Sequence, residues 1–234
     1  MLCVTITMVY FFFNSLINSS IFAVAIGSRA LVGSSIKITS GFIAKVLAID
    51  VYLNSSVMRT PKIDDNKVDH LERSIEEECL NLILKERPFS KDLRKVTGIF
   101  KMVEDIERLG DHAEDLFWSI SNLLKYSQGI RIDSLIEEAK VAMSMVKDSY
   151  AAFVKGDVKL AEEICKRDDV VDALYLKSLK EIPAVKDQYH LNDDFILYST
   201  LLSKYLERVA DHASNIAEWV NYIETGYYKD EIII

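Results

Sequence analysis

Three prolines and eight glycines in 234 residues leave little material for turns. A fold of many short strands, which needs a turn signal every 8–12 residues or so, is thereby excluded. Cysteine is also scarce: Cys3, Cys79 and Cys165 are odd in number and far apart. That rules out a disulfide framework and a paired-cysteine zinc site, and the core reads as a reduced one. Positive charge is in deficit, with Lys+Arg 28 against Asp+Glu 36, a net charge of -8 and a pI near 5.1. Such a balance argues against general affinity for nucleic acid or anionic membranes and favours a cation or a basic protein partner. Catalytic signatures are missing too: no glycine-rich phosphate loop, no serine nucleophile elbow and no recognisable catalytic cysteine context. A di-iron carboxylate bundle is the nearest enzyme class, but it uses Glu-x-x-His pairs. None of His70, His112, His190 or His212 has a Glu three residues before it. No catalytic residue is therefore assigned, and a carboxylate-bridged metal enzyme on a helical bundle stands as an alternative only.

Charge is nearly absent from the first 60 residues, where Arg29, Lys37, Lys45, Asp50 and Arg59 are the only charged side chains. Met1 to Gly27 has none and is long enough to cross a bilayer, which takes about 20 apolar residues. Asn14, Ser15, Asn18, Ser19 and Ser20 interrupt it, and no positive n-region opens it, although Ala23-Val24-Ala25 resembles a cleavage site. Insertion of residues 1–27, and with it a membrane-anchored structural protein, is a second alternative.

From residue 63 the chain is rich in Glu, Lys, Leu and Ala, with punctuation only at plausible helix ends. Five helices are expected: Asp64 to Glu86, Ser90 to Tyr126, Ser134 to Lys155, Asp157 to Glu181 and Asn192 to Thr225. Pro88 separates the first two, Gly129 and Gly156 sit where C-terminal caps belong, and Ser134 with Glu137 reads as a capping box. No segment alternates with period two, so strands are not expected and the fold class is all-α. On the second helix Ile99, Val103, Ile106, Gly110, Ala113, Phe117, Ile120 and Leu124 follow the three-four spacing of a seam between helices.

Against this background an internal duplication stands out. IERLGDHAEDL, Ile106 to Leu116, returns as LERVADHASNI, Leu206 to Ile216, offset by 100 residues. Both copies hold a Glu and an Asp four apart, Glu107 with Asp111 and Glu207 with Asp211, on adjacent turns of one helix face. Like charges so placed cost an isolated helix about 0.2–0.5 kcal/mol, so a cation is expected to offset them. Acid runs are usually solvated faces. A solvated face, however, has no reason to keep the same pair while neighbours drift, as Glu114 against Ser214 shows. We take Glu107, Asp111, Glu207 and Asp211 as candidate metal ligands, with Glu104, Asp115 and Asn215 as a supporting shell. In the second copy Lys204 takes the place of Glu104, which makes that ridge less acidic. All-oxygen ligation points to a hard cation such as Mg, Mn, Ca or Fe. His112 and His212 each lie about 100° round the helix from the neighbouring Asp and read as polar contacts in the bundle or at its surface. Arg108 and Arg208 point off the ridge, toward salt bridges with another helix.

A second repeat accompanies the first: Asp65, Val68, Asp69 and Leu71 in DNKVDHL correspond to Asp168, Val171, Asp172 and Leu174 in DDVVDAL, offset by 103. With IEEECLNLILKERPFSKDLRKV (Ile75 to Val96) and AEEICKRDDVVDALY (Ala161 to Tyr175), these strings resemble the PhoU family of bacterial phosphate-transport accessory proteins from residue 63 to the end. The resemblance implies two pseudo-symmetric three-helix bundles, each with its acidic motif on the long final helix, and metal ions on those motifs in some members. Under it the chain divides into an atypical segment 1–60, a first repeat 61–130 and a second repeat 131–234. It further implies a cytoplasmic negative regulator of phosphate uptake and of the phosphate-starvation response, acting on the phosphate transporter and a sensor histidine kinase. A homodimer is expected, with no nucleic acid and membrane contact only through partners unless residues 1–27 insert. Residues 1–60 depart from the family pattern, which calls for two amphipathic charged helices there. A shifted frame or wrong start, real divergence and an added membrane anchor are the three explanations.

Overall fold

A computed structural model of the chain describes residues 65–232 apart from positions 128 and 230. The expectations for residues 1–60, including insertion of 1–27, fall outside the described residues. Five helices follow in order: α1 Asp65–Glu86, α2 Ser90–Tyr126, α3 Asp133–Lys155, α4 Val158–Tyr189 and α5 Asp193–Thr225. A two-residue hairpin, β1 Tyr227–Tyr228 with β2 Glu231–Ile232, ends the described chain and pairs antiparallel. It is the one departure from an all-helical reading, and strands this short give no detectable period-two pattern. Among the described residues no helix is long and apolar enough to cross a membrane.

Two compact units meet within α2, at Gly110 and Asp111. In the first, Ile75, Cys79 and Leu82 of α1 are buried, as are Val96, Ile99, Met102, Val103, Ile106 and Leu109 of α2. In the second, α3, α4 and α5 pack on one another as a three-helix bundle. Its core takes Ala142, Met145 and Val146 from α3, Ile164, Val171 and Ile182 from α4, and Leu206, Val209, Ala213 and Ile216 from α5. Each set recurs at three-four spacing, so a single apolar stripe per helix closes the core.

The seam expected along α2 holds as far as Ala113 and then departs from the structure. Leu116 and Ser119 are buried while Leu124 is 53% exposed. The physical reason is that the two ends of this 37-residue helix serve different units. A stripe extrapolated across Gly110 therefore loses phase.

Helix ends follow local chemistry with two exceptions. Asp157 and Asn192 cap α4 and α5 by accepting from the backbone N–H groups of Leu160 (3.1 Å) and Phe195 (3.2 Å). Gly156 and Gly226 close α3 and α5 in the left-handed region at φ 63° and 91°. The capping box at Ser134 does not form: α3 starts at Asp133 with Ile132 as an N-cap that makes no side-chain bond. Ser134 turns inward instead, its Oγ 3.1 Å from Ser178 Oγ. α4 does not stop at Glu181; it runs through Pro183 to Tyr189 and closes on His190 at φ 53°. Proline costs one backbone hydrogen bond there, but Ile182 and Leu191 are buried on either side and hold the extra turns against the bundle.

Candidate metal centre

The second acidic motif lies on α5 within the three-helix bundle. Glu207 follows the buried Leu206, and its side chain is 15% exposed. Its Oε2 accepts from Lys204 Nζ at 2.6 Å, and the same ammonium lies 5.4 Å from the centre of the Tyr175 ring. Asp211, one turn on, has its carboxyl raised above the usual range by desolvation and then by the charges of Glu207 and Asp172, against the opposing pull of Lys204 and His212. The repulsion inferred from the sequence is present in the fold, and Lys204 relieves only part of it.

α4 supplies the acids that face this motif. Asp168 occupies a core-stripe position between the fully buried Ile164 and Val171. Burial pushes its carboxyl up to about 6, and Asp211, Asp172, Asp169 and Glu207 add to the rise in that order. Two helices thus bring Asp168 and Asp172 into the field of Glu207 and Asp211. In the sequence Asp168 and Asp172 mark only the duplication. The signal that could have marked them is that Asp-x-x-x-Asp recurs as Asp65 and Asp69, with an acid at an inward position of an otherwise apolar stripe. Among the described residues no group of three or more His, Cys, Asp or Glu side chains is preassembled around a metal position. The donor set still fits a hard cation by its chemistry, four carboxylates and no thiolate or imidazole. Closing them on an ion requires Glu207 to exchange its Lys204 partner for the ion.

In the first copy Glu107 and Asp111 share a face of α2, one turn apart. Glu107 is 16% exposed and 3.6 Å from Arg108 Nε. Asp111 is half-buried and Glu104 exposed. The side-chain surroundings of Asp65 and Asp69, the counterparts of Asp168 and Asp172, lie outside the described residues. Of the supporting residues, Asn215 is half-buried and Asp115 accepts from His112 Nδ1 at 3.4 Å.

The two histidines are bundle contacts, as their angle to the ridge predicts. His112 is 8% exposed, with its ring centre 5.4 Å from that of His212 and 5.9 Å from that of Tyr205. Burial lowers its pKa; the hydrogen bond to Asp115 opposes this, while the positive charges of His212 and Arg208 reinforce it. Equivalent residues of the two motif copies therefore meet as a ring pair, which the sequence offered no way to foresee.

The described residues form a duplicated helical protein in which two helices of one bundle, α4 and α5, bring the carboxylates of Asp168 and Asp172 into the field of Glu207 and Asp211. Comparison with known proteins gives the family. The PhoU domain matches residues 46–117 and 135–220. The chain is 35% identical over 162 residues to the phosphate-specific transport system accessory protein PhoU homolog of Synechocystis, covering 69% of this chain and 72% of that protein. It is 32% identical to the homolog of Clostridium acetobutylicum, covering 71% and 76%. The chain belongs to the PhoU family. Its fold matches the crystal structure of PhoU from Pseudomonas aeruginosa with a TM-score of 0.63 at 24% identity, over 96% of this chain and 95% of that one. It also matches the phosphate transport system regulatory protein PhoU from Streptococcus pneumoniae with a TM-score of 0.64 at 21% identity, over the whole of both chains.

Proposed function

We propose that this chain is a negative regulator of phosphate uptake and of the phosphate-starvation response, a non-enzymatic, cation-dependent adaptor for the phosphate transporter and a sensor histidine kinase. Its relatives are named as accessory proteins of the phosphate-specific transport system, and that naming supports the transporter as partner. The single observation carrying the cation-dependent part is that both Asp168 and Asp211 are raised, first by burial and then by neighbouring carboxylates, Asp211, Asp172, Asp169 and Glu207 for Asp168 and Glu207 and Asp172 for Asp211. Groups that hold one another partly uncharged bind a divalent ion at the expense of their protons. Glu207, Asp211, Asp168 and Asp172 would hold one ion; Glu107 and Asp111 belong to the equivalent first position. The ion supplies charge neutralisation and a fixed helix spacing, and thereby a surface that a basic partner can read. Under this reading the protein works in the cytoplasm as a homodimer.

A phosphate-starvation reporter in phosphate-replete cells tests it. Deletion of the gene should raise the reporter, the full chain should lower it again, and Glu207→Gln with Asp211→Asn should fail to do so at equal protein level. A reporter that stays low in the deletion strain would remove the regulatory reading. Full repression by the double variant would remove the cation.

A further inference from the structure

Apart from the acidic motifs, the three-helix bundle holds a second polar cluster in a place where a core would be expected to be dry. Glu138 stands on the apolar stripe of α3 between the buried Leu135 and Ala142, and it is 0% exposed. The layer around it is polar on all three helices: Ser134 from α3, Ser178 from α4, and Ser199 and Ser203 from α5, each 0% exposed. Ser203 Oγ donates to Glu138 Oε2 at 2.7 Å and Ser178 Oγ donates to the same oxygen at 2.9 Å. Glu138 Oε1 has no hydrogen-bond partner, and neither does Ser199 Oγ.

This asymmetry is informative. An ionised carboxylate shares its charge over both oxygens, and leaving one of them buried without a donor or a cation is costly. A neutral acid has one carbonyl oxygen, which can accept both serine hydroxyls, and leaves one uncharged hydroxyl without an acceptor, which costs less than an unpaired buried charge. The charged groups facing the layer would not stabilise an anion either. From α5 comes the carboxylate of Glu207, already paired with Lys204. From α4 comes Glu181, whose Oε2 accepts from the backbone N–H of Ser134 at 3.4 Å. Neither offers Glu138 a positive partner.

We propose that Glu138 is a pH-sensitive latch in the core of this bundle: as a neutral acid it ties α3 to α4 and α5 through Ser178 and Ser203, and on losing its proton it releases α3. Burial supports this by pushing the carboxyl up to about 7 from the usual 4.5, with Glu207 adding to the rise and the two serine bonds opposing it. The folded-state value is the raised one, so the contribution is fully present below about 4.5 and is lost as pH rises through about 7. From pH 5 to pH 8 that shift makes the closed bundle about 70-fold less favoured over its open form.

The experiment is hydrogen exchange of the α3 amides, 133–155, in the full-length protein with chelator present, corrected for the intrinsic effect of pH. Protection of α3 should fall about 70-fold further from pH 5 to pH 8 in the wild type than in Glu138→Gln, which keeps the shape and cannot ionise. Parallel pH profiles for the two proteins would overturn the proposal. Should Glu138→Gln fail to fold, the wild type decides alone through the carbon-13 carboxyl resonances of glutamate-labelled protein. One resonance titrating near pH 7 is expected, and a set that titrates entirely below pH 5 would overturn it.

Discussion

Replacing Asp168 by Asn should make the protein more stable when no cation is present, which is the reverse of what removing a buried hydrogen-bonding acid usually does. The folded protein holds this carboxyl at about 6 against a usual 3.8, so in the native state its proton is lost only with difficulty. Below pH 3.8 the group is neutral folded or unfolded and contributes nothing. Between 3.8 and 6 the unfolded chain ionises first and stability falls, and above 6 the whole cost is present. Two pH units at about 1.4 kcal/mol each would give about 3 kcal/mol. The side chain is only half-buried and solvent screens it, so we expect about 1–1.5 kcal/mol. For a chain of this length that is roughly 3–5 °C in Tm.

The assay follows from the sequence, which has two tryptophans, Trp118 and Trp219, both in the unit that carries the cluster. Trp118 packs edge-on against Tyr198 at 5.4 Å, and Trp219 stacks on Tyr228 at 4.1 Å. Fluorescence-detected melting therefore reports on the bundle itself. In chelator at pH 7.5 Asp168→Asn should melt above the wild type, and at pH 4 the two should coincide. Added Mn2+ at about 100 times its dissociation constant should raise the wild type by about 2.7 kcal/mol and the variant by much less. An Asp168→Asn protein less stable than the wild type in chelator at pH 7.5 would refute the reasoning, since it would show that the ionised carboxylate is satisfied within the fold.

Two further outcomes probe the scaffold. Ile216→Ala removes a fully buried side chain from the α5 stripe and should cost about 2–5 kcal/mol in denaturant unfolding; a loss below 1 kcal/mol would mean this part of the core is not packed as described. Gly156→Ala places a Cβ at φ 63°, 3.1 Å from Glu224 Oε1, and should cost roughly 1–2 kcal/mol, whereas an unchanged Tm would show that the left-handed turn after α3 is not held.

The helices were legible because their signals are local. The end of α2 at Tyr126 and the caps at Asp157 and Asn192 are read from residues within one turn of the boundary. Where a tertiary contact competes with a local one, the sequence misleads. Ser134 has the right neighbour for a capping box, yet its hydroxyl lies in the buried polar layer and bonds Ser178 instead. The expected end of the fourth helix at Glu181 is passed in the same way, for buried Ile182 keeps the helix going through Pro183. Half of the second acidic cluster could be read from Glu207 and Asp211, because their repetition is visible in one line of sequence. Asp168 and Asp172 carry a fainter signal, the recurrence of their spacing at Asp65 and Asp69, and what joins them to this cluster is the helix they face.

Lys204 shows why duplication need not preserve equivalence. The first copy has Glu104 three residues before Glu107, and the second has Lys204 three residues before Glu207. A lysine at that spacing reaches the next turn's carboxylate, and here it does, at 2.6 Å. The pair is partly solvent-exposed, with Lys204 39% and Glu207 15% exposed, so it is worth no more than about 1 kcal/mol. A divalent ion held by several carboxylates can readily outcompete it. The second motif therefore carries a lysine that pairs with Glu207, where the first motif has an acid, Glu104. Under the proposed function, two copies of one acidic motif, made unequal by a single charge reversal, should fill at different cation concentrations, and a metal titration that shows two equal sites would refute it.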